Sequence, residues 1–140
     1  MDTIRKNFSS SILTTSDTTS DTSPLFDRKV ELATEGLQNE FSNLLRNRTS
    51  KENALTIAEY ILAMKTETNP SDLYRKSIIK LLCTLSRFFH NLKSFKQITR
   101  DDILLFLDRL RKPDSYDPLH KWIGTYNIYR IHLMRFFKWL

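Results

Sequence analysis

A chain of 140 residues, 40% hydrophobic and 11% aromatic, carries enough apolar material for one core and fits the size of one domain. Two glycines and four prolines exclude collagen-like and Gly- or Pro-rich chains, and argue against an all-β fold with its turn glycines. The single cysteine, Cys83, excludes an internal disulfide and a cysteine-based metal site, and no apolar run approaches the ~20 residues that span a bilayer. The expectation is a soluble all-α protein of a reducing, cytoplasmic compartment, nucleoid-associated if prokaryotic, with no membrane partner and no cofactor.

The net charge of +6 is unevenly spread. Residues 1–27 sum to −2 and residues 28–69 to zero, whereas residues 70–140 hold 14 basic against six acidic side chains, an excess of +8. Such a bias toward one half is the electrostatic footprint of a nucleic-acid partner, and acidic membranes or acidic proteins fit it as well.

Twelve of the first 25 residues are Ser or Thr, with almost no apolar periodicity. Residues 1–27 therefore read as a disordered tail, without the apolar h-region of a secretory signal. Over residues 28–46, Val30, Ala33, Leu37, Phe41 and Leu44 recur at three- and four-residue spacing and predict one helix, weakened near its middle by Gly36. A second helix is expected from an N-cap at Ser50 to about Lys65, followed by a loop ahead of Pro70.

The strongest pattern covers residues 71–92. Ser71 is the expected N-cap, and Tyr74, Ile78, Leu81, Leu82, Leu85, Phe88, Phe89 and Leu92 form an apolar stripe over five turns. At 100° per residue, Lys76, Lys80 and Arg87 cluster within about 40° on the opposite side, a basic stripe suited to phosphates. Thr99 with Asp102 is a capping box that opens a helix running to about Lys112. Residues 113–124 read as a connecting loop, and Thr125 as the cap of a last helix. There Tyr126, Tyr129, Leu133, Phe136, Phe137 and Leu140 form the stripe, and Asn127, Arg135 and Lys138 lie on the other side. The chain stops at Leu140 inside this periodic helix without a capping residue, as expected of the front piece of a longer protein.

Residues 125–140, from Thr125 and Asn127 through Leu133, Phe136, Phe137, Lys138, Trp139 and Leu140, resemble the last helix of the core-binding (SAM-like) domain of tyrosine recombinases, the phage integrases. The upstream order is similar too: a helix near Ala54, a helix from Tyr74 closing on a Leu85-x-x-Phe88-Phe89 segment, and Ile98-Thr99-x-Asp101-Asp102-Ile103 opening the next. The resemblance spans residues 50–140, and residues 121–127 further resemble archaeal integrase-type recombinases. It implies a compact four-helix bundle of two helical hairpins that closes over one side of duplex DNA, here preceded by an extra helix. Its second and fourth helices would face the major groove, while a separate C-terminal domain, outside this chain, cleaves the strand.

On that reading Lys76, Lys80, Arg87, Arg135 and Lys138 neutralise phosphates. Asn127 and Arg130 are the candidates for base edges, because Asn pairs bidentately with adenine and Arg with guanine, although Arg130 lies beside the apolar stripe and alternatively bridges helices. No catalytic residue is assigned: the His132-x-x-Arg135 spacing falls inside a DNA-facing helix, and none of the five tyrosines is placed as a nucleophile. Cys83 and His90 share what looks like a polar helix face, but ~10.5 Å of rise between them disfavours a common zinc. Ile128, Ile131 and Trp139 fall off the stripe and are left to meet the catalytic domain or a neighbouring protomer on DNA. The helix over residues 28–46 either covers the bundle or serves the same contacts. The alternative from another class is a helical protein-interaction module whose basic surface meets an acidic partner.

Overall fold

The computed structural model describes residues 24–140, and every regular element among them is helical. In chain order these are α1 (Pro24–Ala33), α2 (Asn39–Asn47), α3 (Lys51–Glu67), α4 (Asp72–Phe88), a 3-10 turn (Phe95–Gln97), α5 (Arg100–Asp108) and α6 (Trp122–Trp139). α3 and α4 make one hairpin and α5 packs beside α6, while α1 lies along α3 and α2 straddles α3 and α4.

The helix expected over residues 28–46 is two helices. Gly36 adopts φ +84°, a conformation that costs other residues ~1–2 kcal/mol, so the chain turns there instead of continuing. The turn is held from both sides: Thr34 Oγ1 donates to the Val30 carbonyl at 2.8 Å, and Arg75 Nη1 on α4 donates to the Ala33 carbonyl at 3.0 Å. Both halves cover the bundle, burying Phe26, Val30, Ala33, Phe41 and Leu45. The first 23 positions of the expected tail lie outside the described residues, and its last four already belong to α1, with Pro24 at the first helical position, where its missing N–H costs nothing.

Both serine caps form. Ser50 Oγ accepts from the Asn53 amide at 3.3 Å, and Ser71 Oγ from the Tyr74 amide at 3.1 Å. α4, however, ends at Phe88, a turn short of the expected Leu92. His90 and Asn91 take left-handed φ values of 57° and 58°, the Asn91 amide donates back to the Ser86 carbonyl, and Leu92 is 83% exposed instead of joining the core. A polar knot fixes the chain after this stop. Buried Asn53 donates from Nδ2 to Ser86 Oγ and to the Lys93 carbonyl, both at 2.9 Å, and accepts the Phe95 amide at 3.0 Å. Phe95 is thereby seated against Phe136, ring centroids 5.0 Å apart, and Phe136 in turn meets Tyr60 of α3 at 5.1 Å.

The Thr99 capping box is present in full and begins α5 at Arg100, but the helix ends at Asp108, earlier than expected. α6 begins at Trp122, three residues ahead of the expected Thr125 cap. Asp117 Oδ2 accepts the Trp122 amide at 2.9 Å and so supplies the first-turn acceptor from within the loop. Cys83, read from the sequence as facing outward with His90, is buried beside Thr49. The stripe is wider than the eight residues that define it, because α2 covers a flank of α4 that the repeat alone leaves open.

Candidate nucleic-acid interface

α4 carries the basic face. Its buried side is set by Ile78, Ile79, Leu82 and Leu85, which leaves Lys80, Thr84, Ser77 and Arg87 outward at 100° per residue. Lys76 and Lys80, one turn apart, both lie over the Phe41 ring of α2, with Nζ 6.0 and 5.6 Å from its centroid. The aromatic face holds the two ammonium groups on this side of the molecule without neutralising them.

α6 meets α4 at two places, in opposite order along the two helices. Tyr74, near the start of α4, meets the His132 ring at 5.3 Å and receives a long 3.5 Å hydrogen bond from Arg135 Nη1, both late in α6. Farther along, Ser77, Lys80, Leu81 and Thr84 of α4 close with Tyr129 of α6 and Arg109 around a cleft of about 300 Å³. Arg109 follows α5 and is held with its guanidinium 4.3 Å from the Phe106 ring centroid. Two cations and three hydroxyl-bearing side chains thus line one cleft, and no carboxylate does.

The sequence-predicted residues do not form a single patch. Lys80, Arg87 and the half-buried Lys76 share the α4 face, whereas Arg135 meets Tyr74, about 120° around α4 from Lys80, and lines a separate hollow of about 640 Å³ with Tyr60, Glu67 and Trp139. Asn127 and Lys138 are exposed on the outermost side of α6, about 20° apart around its axis. Arg130 lies on the other flank, against α5, with Nη1 3.2 Å from Met134 Sδ. Arg109 escaped the sequence reading, and Tyr129, expected in the apolar stripe of the last helix, lines the cleft as well. Ser77 and Thr84 were accessible in principle, being seven residues apart beside Lys80, but nothing local signals that residue 109 meets residue 80.

The distribution of ion pairs sharpens the contrast. Carboxylates engage Lys29, Arg46, Lys65, Arg75, Lys93 and Arg111 elsewhere in the fold, whereas among the described residues Lys76, Lys80, Arg87, Arg109, Arg135 and Lys138 form no ion pair. His132 is held below its ordinary pKa, first by burial and then by the neighbouring Arg135 charge, so it stays neutral beside this face at neutral pH. Its Nδ1 is buried without a hydrogen-bond partner. Among the described residues no group of three or more His, Cys, Asp or Glu side chains is placed to hold a metal, and no helix is long and apolar enough to cross a membrane.

No protein-family model, curated protein or solved structure matches the chain.

Proposed function

We propose that this domain binds double-stranded DNA, laying the outward faces of α4 and α6 against the duplex as the amino-terminal clamp of a site-specific tyrosine recombinase. The observation that carries the DNA reading is the carboxylate-free cleft in which Lys80 and Arg109 stand beside the Ser77, Thr84 and Tyr129 hydroxyls. Phosphate recognition needs this combination: fixed positive charge to release condensed counterions, and neutral donors to set the register. Asn127 and Lys138 lie outermost on α6, about 160–180° around its axis from Tyr129, so on this reading they meet a separate stretch of the duplex. The recombinase part of the reading draws on the resemblance of residues 50–140, and it assigns strand cleavage to a catalytic domain of the parent protein, none of it to this chain.

The test is fluorescence anisotropy of a labelled duplex of ~30 base pairs titrated at several salt concentrations, against the native chain and against Lys80→Ala/Arg109→Ala/Arg135→Ala. Binding is expected to weaken steeply with salt, and the triple variant to lower the slope of log K against log salt by roughly 2 to 3. Absence of binding at ~50 mM salt, or an unchanged slope in a folded triple variant, rejects the reading.

A further inference from the structure

The flank of α6 that faces α5 has a different chemistry. Ile98, Ile103, Leu104 and Leu107 on one wall and Met134 and Phe137 on the other line a groove of about 500 Å³, with Arg100 and Arg130 on its rims. Leu104 is 40% and Met134 58% exposed, so the apolar floor is open to solvent. The groove continues around α6 into a shallower hollow of about 310 Å³ formed by Arg130, Ile131, Met134, Arg135 and Lys138.

No carboxylate lines either depression. The acids of α5 are turned elsewhere: Asp102 is held by Lys93 Nζ at 2.8 Å and by the Thr99 amide, and Asp108 by Arg111 at 2.6 Å. Asp101 lies about 100° around α5 from Arg100. The rims are therefore cationic and uncompensated above an apolar floor.

We propose that the α5–α6 groove is the docking site of an acidic amphipathic helix from a partner protein, whose apolar stripe sits between Leu104 and Met134 and whose carboxylates meet Arg100 and Arg130. A channel between two helices takes a third helix through anchors at i, i+3 or i+4, and i+7, and the nine residues of α5, ~13 Å long, match two such turns. Charge complementarity selects the sign of the flanks. A second copy of this chain is disfavoured by the same argument, since apposed grooves bring arginine against arginine. Duplex DNA satisfies the rims but leaves the apolar floor without an apolar partner. The inference does not rest on the DNA reading, whose Lys80–Arg109 cleft lies between α4 and α6, although Arg135 and Lys138 in the adjoining hollow belong to that reading as well.

The probe is a labelled synthetic 16-residue helix-forming peptide with Leu at the anchor positions and Glu beside them, and a twin with Lys in place of every Glu. The whole chain is titrated with each by anisotropy, and circular dichroism checks that all variants are folded. The acidic peptide is expected to bind at least about tenfold more tightly than its twin. Arg100→Glu/Arg130→Glu is expected to reverse that preference, and Met134→Ser to weaken the acidic peptide several-fold. Lys80→Ala/Arg109→Ala leaves both affinities where they were. Equal affinity for the two peptides, no binding at ~1 mM, or an unreversed preference in the folded double variant overturns the proposal. So does competitive displacement of the peptide by the duplex that Lys80→Ala/Arg109→Ala does not abolish, which would make the groove part of a DNA surface.

Discussion

Arg75 closes helix α1 from across the fold: its Nη1 donates to the Ala33 carbonyl at 3.0 Å, while its Nη2 pairs with Asp72 at 2.6 Å. The arginine is 5% exposed, whereas the Asp72 side chain is 65% exposed. Removing the guanidinium thus strands a buried carbonyl, not a buried charge. Arg75→Ala is expected to cost about 1 to 3 kcal/mol, read as a lower urea midpoint with an unchanged m value. Asp72→Asn keeps the Ala33 contact but removes the carboxylate paired with a buried guanidinium, and is expected to cost a comparable amount.

Asn53 is the second buried polar joint, linking α3 to α4 and to the strap that delivers Phe95. Asn53→Leu leaves the Phe95 amide and the Lys93 carbonyl without this partner. We expect a loss of about 3 kcal/mol in chemical denaturation, accompanied by a change in near-ultraviolet circular dichroism as the Phe95, Phe136 and Tyr60 cluster loosens. A native-like aromatic spectrum and unchanged stability would show that the strap is held by apolar packing alone.

What was legible in the sequence is what short-range chemistry decides. Ser50, Ser71 and the Thr99–Asp102 pair cap the helices they were expected to cap, because each bond joins residues three apart. Some misplaced ends have tertiary causes. Gly36 was legible as a weak point, but that the weakness becomes a break depends on Arg75 reaching the Ala33 carbonyl from 42 residues away. The stop after Phe88 depends on Asn53 taking the following backbone, while the early start of α6 has a local cause, Asp117 accepting the amide of Trp122 five residues ahead of it. On the candidate surface, the α4 stripe was legible from helical periodicity, whereas Arg109 enters through the packing of α5, and the division of α6 into two chemically distinct flanks depends on which neighbour covers which edge.

Asp102 gives the capping box a pH signature. Its carboxyl is held below the usual carboxylate range, first by the Lys93 hydrogen bond and then by the Thr99 amide. A group depressed in the folded state stabilises the fold fully above its unfolded value, near 3.8, and loses that contribution as pH falls through the lower folded value. The stability difference between the native chain and Asp102→Asn is therefore expected to be constant from neutrality to about pH 5 and to shrink below pH 4. A difference that persists undiminished into strong acid would show that the ionised carboxylate is not what the cap uses.

Burial pushes the Cys83 thiol up to about 11, against a smaller opposing effect from its hydrogen bond with Thr49. At pH 8 the folded chain is accordingly expected to react with a thiol-specific reagent far more slowly than the urea-unfolded chain, because both access and thiolate are lacking. Rapid stoichiometric labelling of the native protein would mean that α2 and α4 separate readily around this position. Thr49→Val, which removes the hydroxyl and little volume, is expected to leave labelling slow.

The two flanks of α6 can be separated by single substitutions. Arg135 lies beside Tyr74 near the start of α4, in a hollow that also holds Glu67, and Arg130 lies against Met134 on the side of α5. If phosphates reach that hollow, Arg135→Ala lowers the salt slope of duplex binding by about 1 and does so equally for unrelated sequences. Arg130→Ala is expected to spare that slope and instead weaken the acidic helical peptide several-fold. The reverse assignment, with Arg130→Ala altering the slope or the ranking of duplex sequences, would move the DNA surface to the α5 side of the helix and make Arg130 a base-reading residue.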